Sequence, residues 1–259
     1  MTKKRLDILL LEKGFAETRT SAQKLVMAGE VRVNGIKAIK SSQQFNDSDN
    51  IVIDHGLQFV SRGGEKMLGA LEGFNMTKLD GLVCADVGSS TGGFTDCLLQ
   101  HGAKKVYAID VGYGILHWKL RNDPRVIVME KTNARNIQSL PEQVNLIVID
   151  ASFISLKLIL PVIKNWYGEN GGKLITLIKP QFEAGKEEAA KGAGVIKDHS
   201  IHRKVLNEIL NAANSLNFGV ENLIKSPLIG PKGNIEFLAL FTYPGKSVNI
   251  EELINGIVF

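Results

Sequence analysis

Residues 86–96 read Asp-Val-Gly-Ser-Ser-Thr-Gly-Gly-Phe-Thr-Asp and follow directly on the apolar run Leu82-Val83-Cys84-Ala85. An apolar run breaking into glycines and hydroxyl residues predicts a buried strand, a tight turn and the start of a helix. In an open α/β fold such a turn lies at the carboxyl edge of the sheet, where ligands bind. Gly88, Gly92 and Gly93 permit close backbone approach and positive φ. The spacing separates the candidate ligands. A dinucleotide fingerprint would read GxGxxG, whereas here Ser89-Ser90-Thr91 stands between Gly88 and Gly92. No GxxxxGK[ST] phosphate loop occurs either. Asp86 sits at the strand tip, and a carboxylate there suits an ammonium group better than a phosphate. The stretch looks like the cradle of an S-adenosylmethionine site, with a nicotinamide dinucleotide or a purely structural turn as the alternatives. Asp86 is expected near the methionine amine, with Gly88, Ser89, Ser90, Gly92, Gly93, Phe94 and Thr95 around the cofactor. Asp110 and Val111, ending the next strand, are expected at its ribose.

Outward from this turn, apolar runs alternate with helical patterns. Strands are expected at 82–87, 105–110, 125–129, 144–150 and 173–179, with helices at 93–101, around 156–166 and over 199–216. This alternation predicts a parallel sheet covered by helices on both faces. The last pair, 220–225 and 235–243, is joined by Ser226-Pro227…Gly230-Pro231-Lys232-Gly233. That connection is too short for a parallel crossover and requires an antiparallel hairpin. The fold class is thus α/β: a mostly parallel, Rossmann-like class I methyltransferase sheet with a C-terminal antiparallel hairpin.

Ahead of it stands a different module. A short helix within 5–14 stops at Gly14, and a second runs from Ala22 to Ala28 with Thr20 or Ser21 as its cap and Gly29 after it. Val31-Arg32-Val33-Asn34-Gly35-Ile36 is a strand entering an Asn-Gly turn, and Ile51-Val52-Ile53 closes the unit. The expected domains are 1–58 and 59–259, with a short linker around 54–62. Residues 1–45 carry nine Lys or Arg against four acids, while the other 214 residues are close to neutral. A basic module on a near-neutral body points to a polyanion, nucleic acid before membrane.

Apolar residues make up 44% of the chain, enough for a buried core. No run is long enough to span a bilayer, and the basic N-terminus lacks the apolar stretch of a signal peptide. Two cysteines, Cys84 and Cys97, fit a reduced, cytoplasmic setting better than a disulfide framework. No stable membrane association and no metal are expected.

Polar groups interrupt the apolar elements at four places. Asp150 and Lys179 end strands, Glu236 interrupts one, and Lys66 stands at the entrance to the first helix after Gly63-Gly64. Burying any one alone would be costly, so mutual pairing is expected. Each also has a plain reading, as an inward ion pair or a lysine reaching solvent. Tyr113 and Trp118 read equally as core or as rim aromatics.

Three resemblances add to this. Residues 5–7, 19–24 and 29–35 resemble an S4-type RNA-binding domain, which implies RNA contacts from Arg5, Arg19, Ser21, Lys24, Arg32, Asn34 and Lys37, with Arg62 beyond them. Lys66, Asp150, Lys179 and Glu236 resemble, in the same chain order, the Lys-Asp-Lys-Glu tetrad of FtsJ-like RNA 2′-O-methyltransferases. The whole chain from Arg5 to Tyr243 is similar to the TlyA family, described both as hemolysins and as ribosomal RNA 2′-O-methyltransferases. The segments that carry this similarity include 61–66, 110–114, 120–126, 131–135, 150–153, 179–183 and 233–237. It implies methylation of cytidine 2′-hydroxyls in ribosomal RNA or ribosomal subunits, and adds Asn133, Ala134 and Asp150 to the cofactor site. Ile115 departs from the glutamine expected after Gly-Tyr-Gly. The competing classes are a non-catalytic RNA-binding assembly factor, which the intact tetrad argues against, and a membrane-active hemolysin, for which no long basic amphipathic helix is present.

Overall fold

A computed structural model describes residues 3–53 and 58–257. Part of the expected linker, residues 54–57, lies outside the described residues. The chain divides into two compact units, Met1–Gln58 and Phe59–Phe259.

In the first unit, α1 (Leu6–Glu12) and α2 (Arg19–Ala28) pack on short strands. Strand β1 (Lys4–Arg5) pairs with β4 (Gln44–Phe45). Strand β2 (Val31–Val33) lies between β3 (Ile36–Lys37) and β5 (Ile51–Ile53). Leu6, Leu9 and Leu10 meet Ala22, Val26, Val31, Val33 and Ile51 in a small core. Helix α2 begins earlier than its sequence suggests. Thr18 is the cap, accepting from Ser21 N while Ser21 Oγ accepts from Thr18 N, so one residue at each end satisfies an otherwise orphaned amide. Gly29 ends the helix in the left-handed region at φ 74°.

The second unit opens with α3 (Gly63–Gly73) and continues as β6 (Val83–Val87), α4 (Gly93–Gln100), β7 (Lys105–Ile109), α5 (Trp118–Arg121), β8 (Val126–Met129) and β9 (Leu146–Ile149). Then come α6 (Leu160–Ile163), β10 (Gly172–Ile178), α7 (Pro180–Glu183), α8 (Lys186–Lys191), α9 (His199–Asn214), β11 (Gly219–Lys225), β12 (Phe237–Tyr243) and α10 (Ile250–Asn255). The seven strands form one sheet in the order β11-β12-β10-β9-β6-β7-β8. All neighbours are parallel except β12, which runs antiparallel to both β10 and β11. The hairpin therefore folds back so that β12 takes the inner place and β11 the edge. Phe237, Ala239 and Phe241 face one core and Leu238 and Leu240 the other, which is the two-sided burial an interior strand requires.

The expected helix around 156–166 is broken. It forms a 3-10 turn at Leu156–Leu158, the short α6, and another 3-10 turn at Lys164–Trp166. Pro161 lies at the start of α6 and cannot supply an amide to a helix continuing from before it. Strand order reverses between β6 and β9, so their carboxyl ends, at Gly88 and Asp150, border the crevice where such sheets bind ligands.

Candidate active site

Gly88 has φ +83°, and a Cβ there would stand 2.8 Å from the carbonyl oxygen of Asp150. Only glycine lets the β6 turn come this close to the β9 turn. Gly93 does the same between helices, where a Cβ would lie 2.7 Å from Gly64 N. This close approach brings the start of α3, and with it Lys66, beside the glycine turn. Asp96 reinforces the junction by accepting from Val60 N at 2.9 Å.

Two adjoining cavities open on this edge. One, of about 390 Å³, is lined by Gly88, Ser90, Ile109, Asp110, Val111, Asn133, Ala134 and the 150–154 turn. The other, of about 420 Å³, is lined by Ser61, Arg62, Lys66, the 88–94 turn, Asp150, Ser152, Lys179 and Ile229-Gly230. They share Gly88, Ser90, Asp150 and Ser152. Their size suits a small cofactor and a substrate group side by side. Asp110 accepts from Ser90 N at 2.8 Å and Gly112 N at 2.7 Å, one bond per carboxylate oxygen, which leaves lone pairs for hydroxyl donors. Asn133 accepts from Arg135 N at 3.1 Å and thereby fixes its place on the cavity wall.

Asp86 lies behind the glycine turn. It has no exposed surface; its Oδ2 accepts from Thr95 N at 3.0 Å and Thr95 Oγ1 at 2.6 Å, which joins β6 to α4, and its Oδ1 is buried with no hydrogen-bond partner among the described residues. Burial pushes its carboxyl up to about 7, against the two Thr95 hydrogen bonds that pull it down. The glycine cradle, the Asp110 carboxylate and the apolar wall of Ile109, Val111 and Ala134 fit a nucleoside cofactor. Tyr113 and Trp118 are surface residues rather than core, each 71% exposed. Glu130, unremarked in the sequence, ties their loop down by accepting from Ile115 N, Leu116 N and Arg121. The Gly114 amide and the Arg121 guanidinium hold its carboxyl at about 2.

The four interrupting polar residues pair as two ion pairs. Lys66 Nζ lies 2.6 Å from Glu236 Oε2, and Lys179 Nζ lies 2.6 Å from Asp150 Oδ1. Lys66, Lys179 and Glu236 are buried, and Asp150 is partly exposed to the cavity. Lys179 directs a hydrogen bond to Ser152 Oγ at 2.9 Å, and Gln181 Nε2 donates to Glu236 Oε1 at 3.0 Å. Ser152 and Gln181 lie within the segments of family similarity, yet nothing in their residue type singles them out.

The chain's similarity to known proteins agrees with this geometry. The model for the FtsJ-like methyltransferase family matches residues 59–243. The chain belongs to this family. An S4 domain model matches residues 4–51. The chain is 40% identical over 258 residues to the 16S/23S rRNA (cytidine-2′-O)-methyltransferase TlyA of Mycobacterium tuberculosis, covering 98% of this chain and 95% of that protein. It is 44% identical over 240 residues to Hemolysin A of Brachyspira hyodysenteriae, covering 92% and 99%. A solved structure from Streptococcus thermophilus with a hemolysin title is 41% identical, covers 98% of this chain and 95% of that one, and superposes with a TM-score of 0.73. Lys66, Asp150, Lys179 and Glu236 and the residues expected at the cofactor all fall within the matched residues 59–243. Among the described residues, no helix is long and apolar enough to cross a membrane.

In the S4 unit, Arg5, Arg19, Ser21 and Asn34, all expected at RNA, bond within the unit. Arg5 Nε and a terminal nitrogen reach the two oxygens of Asp7 at 3.0 Å each, Arg19 Nε reaches Asp7 Oδ2 at 3.0 Å, and Gln23 adds a fourth bond at 2.9 Å. These donors hold the buried Asp7 carboxyl well below the usual carboxylate range. Ser21 is engaged in the cap of α2, and Asn34 bonds Asp49 and Asn50 N across the turn. Lys24, Arg32 and Lys37 are exposed. Arg32 and Lys37 are cross-strand neighbours on one face of the small sheet. Arg62 belongs to the FtsJ-like unit, where it lines the second cavity.

Proposed function

We propose that this chain is an S-adenosylmethionine-dependent 2′-O-methyltransferase acting on a cytidine ribose of ribosomal RNA, with Lys66, Asp150, Lys179 and Glu236 as its catalytic group. The observation that carries the reading is the pairing of these four residues, at 2.6 Å in each pair, with Lys66, Asp150 and Lys179 on the cavity beside the glycine cradle and Glu236 buried against Lys66. The substrate class rests on the similarity to TlyA and on the S4 domain. S-adenosylmethionine, when bound, supplies an electrophilic methyl group; Gly88, Ser89, Ser90, Asp110, Val111, Asn133 and Ala134 would hold it.

A ribose 2′-hydroxyl is a weak nucleophile and must lose its proton as the new bond forms. Lys179 must first release to solvent the proton it holds in the Asp150 ion pair; its neutral amine then accepts the hydroxyl proton, and Asp150 stabilises the ammonium that results. Ser152 fixes the direction of the amine. Lys66, held by Glu236, presents a positive charge on the hydroxyl's side of the cavity and favours the developing alkoxide. Proton acceptance of this kind contributes roughly 10²–10⁴-fold, and alignment of the reacting atoms the larger remainder.

The test is methyl transfer from radiolabelled S-adenosylmethionine to purified 30S and 50S subunits lacking the modification, followed by mapping of the labelled nucleotide. Label on a cytidine 2′-oxygen is expected. Lys179→Ala is expected to lose at least about 10²-fold in turnover with cofactor affinity nearly unchanged. Full turnover in that variant would remove Lys179 from its role.

A further inference from the structure

We propose that Gln181 is a positioning residue of the methyl-transfer centre, holding Glu236 against Lys66 and linking that ion pair to Lys179 through the α7 turn. This rests on the tetrad reading above and extends it to a residue outside the tetrad.

The Glu236 side chain has no exposed surface, so its carboxylate depends on protein donors for what water would otherwise supply. Lys66 takes Oε2, and Gln181 Nε2 takes Oε1 at 3.0 Å. On the remaining side Gly230 closes in so tightly that a Cβ there would stand 2.3 Å from Oε1. A carboxylate accepts and does not donate, so the Gln181 amide must present its nitrogen. Its Oε1 is then left buried with no hydrogen-bond partner among the described residues. Buried orphan acceptors are rare and costly, and packing alone would be better served by an apolar side chain of the same size. The amide is explained by its nitrogen, that is, by what it does to Glu236.

The turn that carries Gln181 is fixed on several sides. Lys179 precedes α7 with its amine on Asp150 and Ser152. Pro180 opens the helical turn with its φ preset. The Phe182 ring packs on Phe153 with centroids 4.8 Å apart. Glu183 accepts from Ser155 Oγ at 2.5 Å and Leu156 N at 2.8 Å. A displacement of either ion pair is thus passed through Gln181 to the other. The path is short: Lys66, Glu236, Gln181, Pro180, Lys179, Asp150.

The experiment compares full-length wild type, Gln181→Leu, Gln181→Glu and Lys179→Ala, with unmodified 30S and 50S subunits as acceptor, between pH 5.5 and 8.5. Gln181→Leu keeps the bulk and removes the donor. It is expected to lower kcat 10- to 100-fold while the KM for S-adenosylmethionine changes less than threefold. Gln181→Glu donates to Glu236 only when protonated, so its deficit relative to wild type is expected to be largest at pH 8.5 and to narrow below about pH 6. If Lys179→Ala is inactive but Gln181→Leu keeps kcat within threefold of wild type, the Gln181 proposal falls and the tetrad stands. Equal losses in both Gln181 variants at every pH, with lowered melting temperatures, also overturn it, because packing alone gives that result. Full activity in Lys179→Ala overturns the tetrad reading and this proposal with it.

Discussion

Asp86 closes β6 with its carboxylate buried between that strand and α4, and burial pushes its carboxyl up to about 7. Its value in the unfolded chain lies near 4. Between about pH 4 and 7 the native protein therefore holds a proton that the unfolded chain has released. The resulting stability is complete below the unfolded value and is lost as pH rises through the folded one. For the FtsJ-like unit this means an unfolding free energy that falls with rising pH, by at most about 1.4 kcal/mol per unit from this group. Asp86→Asn presents one oxygen to both Thr95 donors and cannot ionise. Its urea unfolding, followed from pH 4.5 to 7.5, is expected to show a flatter pH dependence than wild type. Parallel curves for the two proteins would mean that Asp86 is ionised in the native state throughout.

At the scale of the element, α1 and α2 are joined by charge as well as by their leucine core. Asp7 is buried, and Arg5, Arg19 and Gln23 all converge on it. Its folded value is depressed, so the stability it contributes is present above about pH 4 and is lost as pH falls below that. Removing one partner of a buried pair costs roughly 3–5 kcal/mol; the Arg5 and Arg19 side chains are 37% and 53% exposed, and solvent screening reduces the figure here. Asp7→Asn is expected to speed hydrogen exchange of the α1 and α2 amides while leaving the FtsJ-like unit's melting transition in place. Unchanged exchange would deny Asp7 this role. The same cluster explains a limit of the sequence. The S4 resemblance marks Arg5 and Arg19 as RNA contacts, but the sequence does not show that both also bond Asp7, which lies twelve or fewer residues away on another element. Apolar runs ending in Asp150 and Lys179 were legible, since a strand tip is a local event. The Lys66–Glu236 pair spans 170 positions; the cost of burial pointed to mutual pairing among the four polar residues but not to which would pair with which. The inner place of β12 was not legible: a short connection demands a hairpin but does not say which strand the core will cover on both faces. Ser152 and Gln181 carried no signal, because an ordinary hydroxyl or amide gains its role from the neighbour it meets.

At the scale of the molecule, the proposed chemistry and the proposed RNA capture fall to different units. The proposed cofactor cradle and the four proposed catalytic residues lie within the FtsJ-like unit, while residues 1–45 of the S4 unit carry nine Lys or Arg against four acids. Of the basic residues expected at RNA in the S4 unit, Lys24, Arg32 and Lys37 are exposed and take no part in the Asp7 cluster. Each phosphate contact contributes a nearly fixed increment to the salt dependence of binding, about 0.7–0.9 in the slope of log affinity against log salt. Replacing Lys24, Arg32 and Lys37 with alanine in the intact chain should weaken binding to ribosomal subunits and flatten that slope by roughly 2–3. Affinity for S-adenosylmethionine, measured by calorimetry without RNA, should stay at the wild-type value, because the residues proposed to hold the cofactor belong to the FtsJ-like unit. A slope unchanged in the triple variant would move RNA capture to the FtsJ-like unit, where Arg62 on the cavity wall is the first residue to replace. A loss of cofactor affinity would contradict the division of labour itself, since it would make the basic module part of the cofactor site.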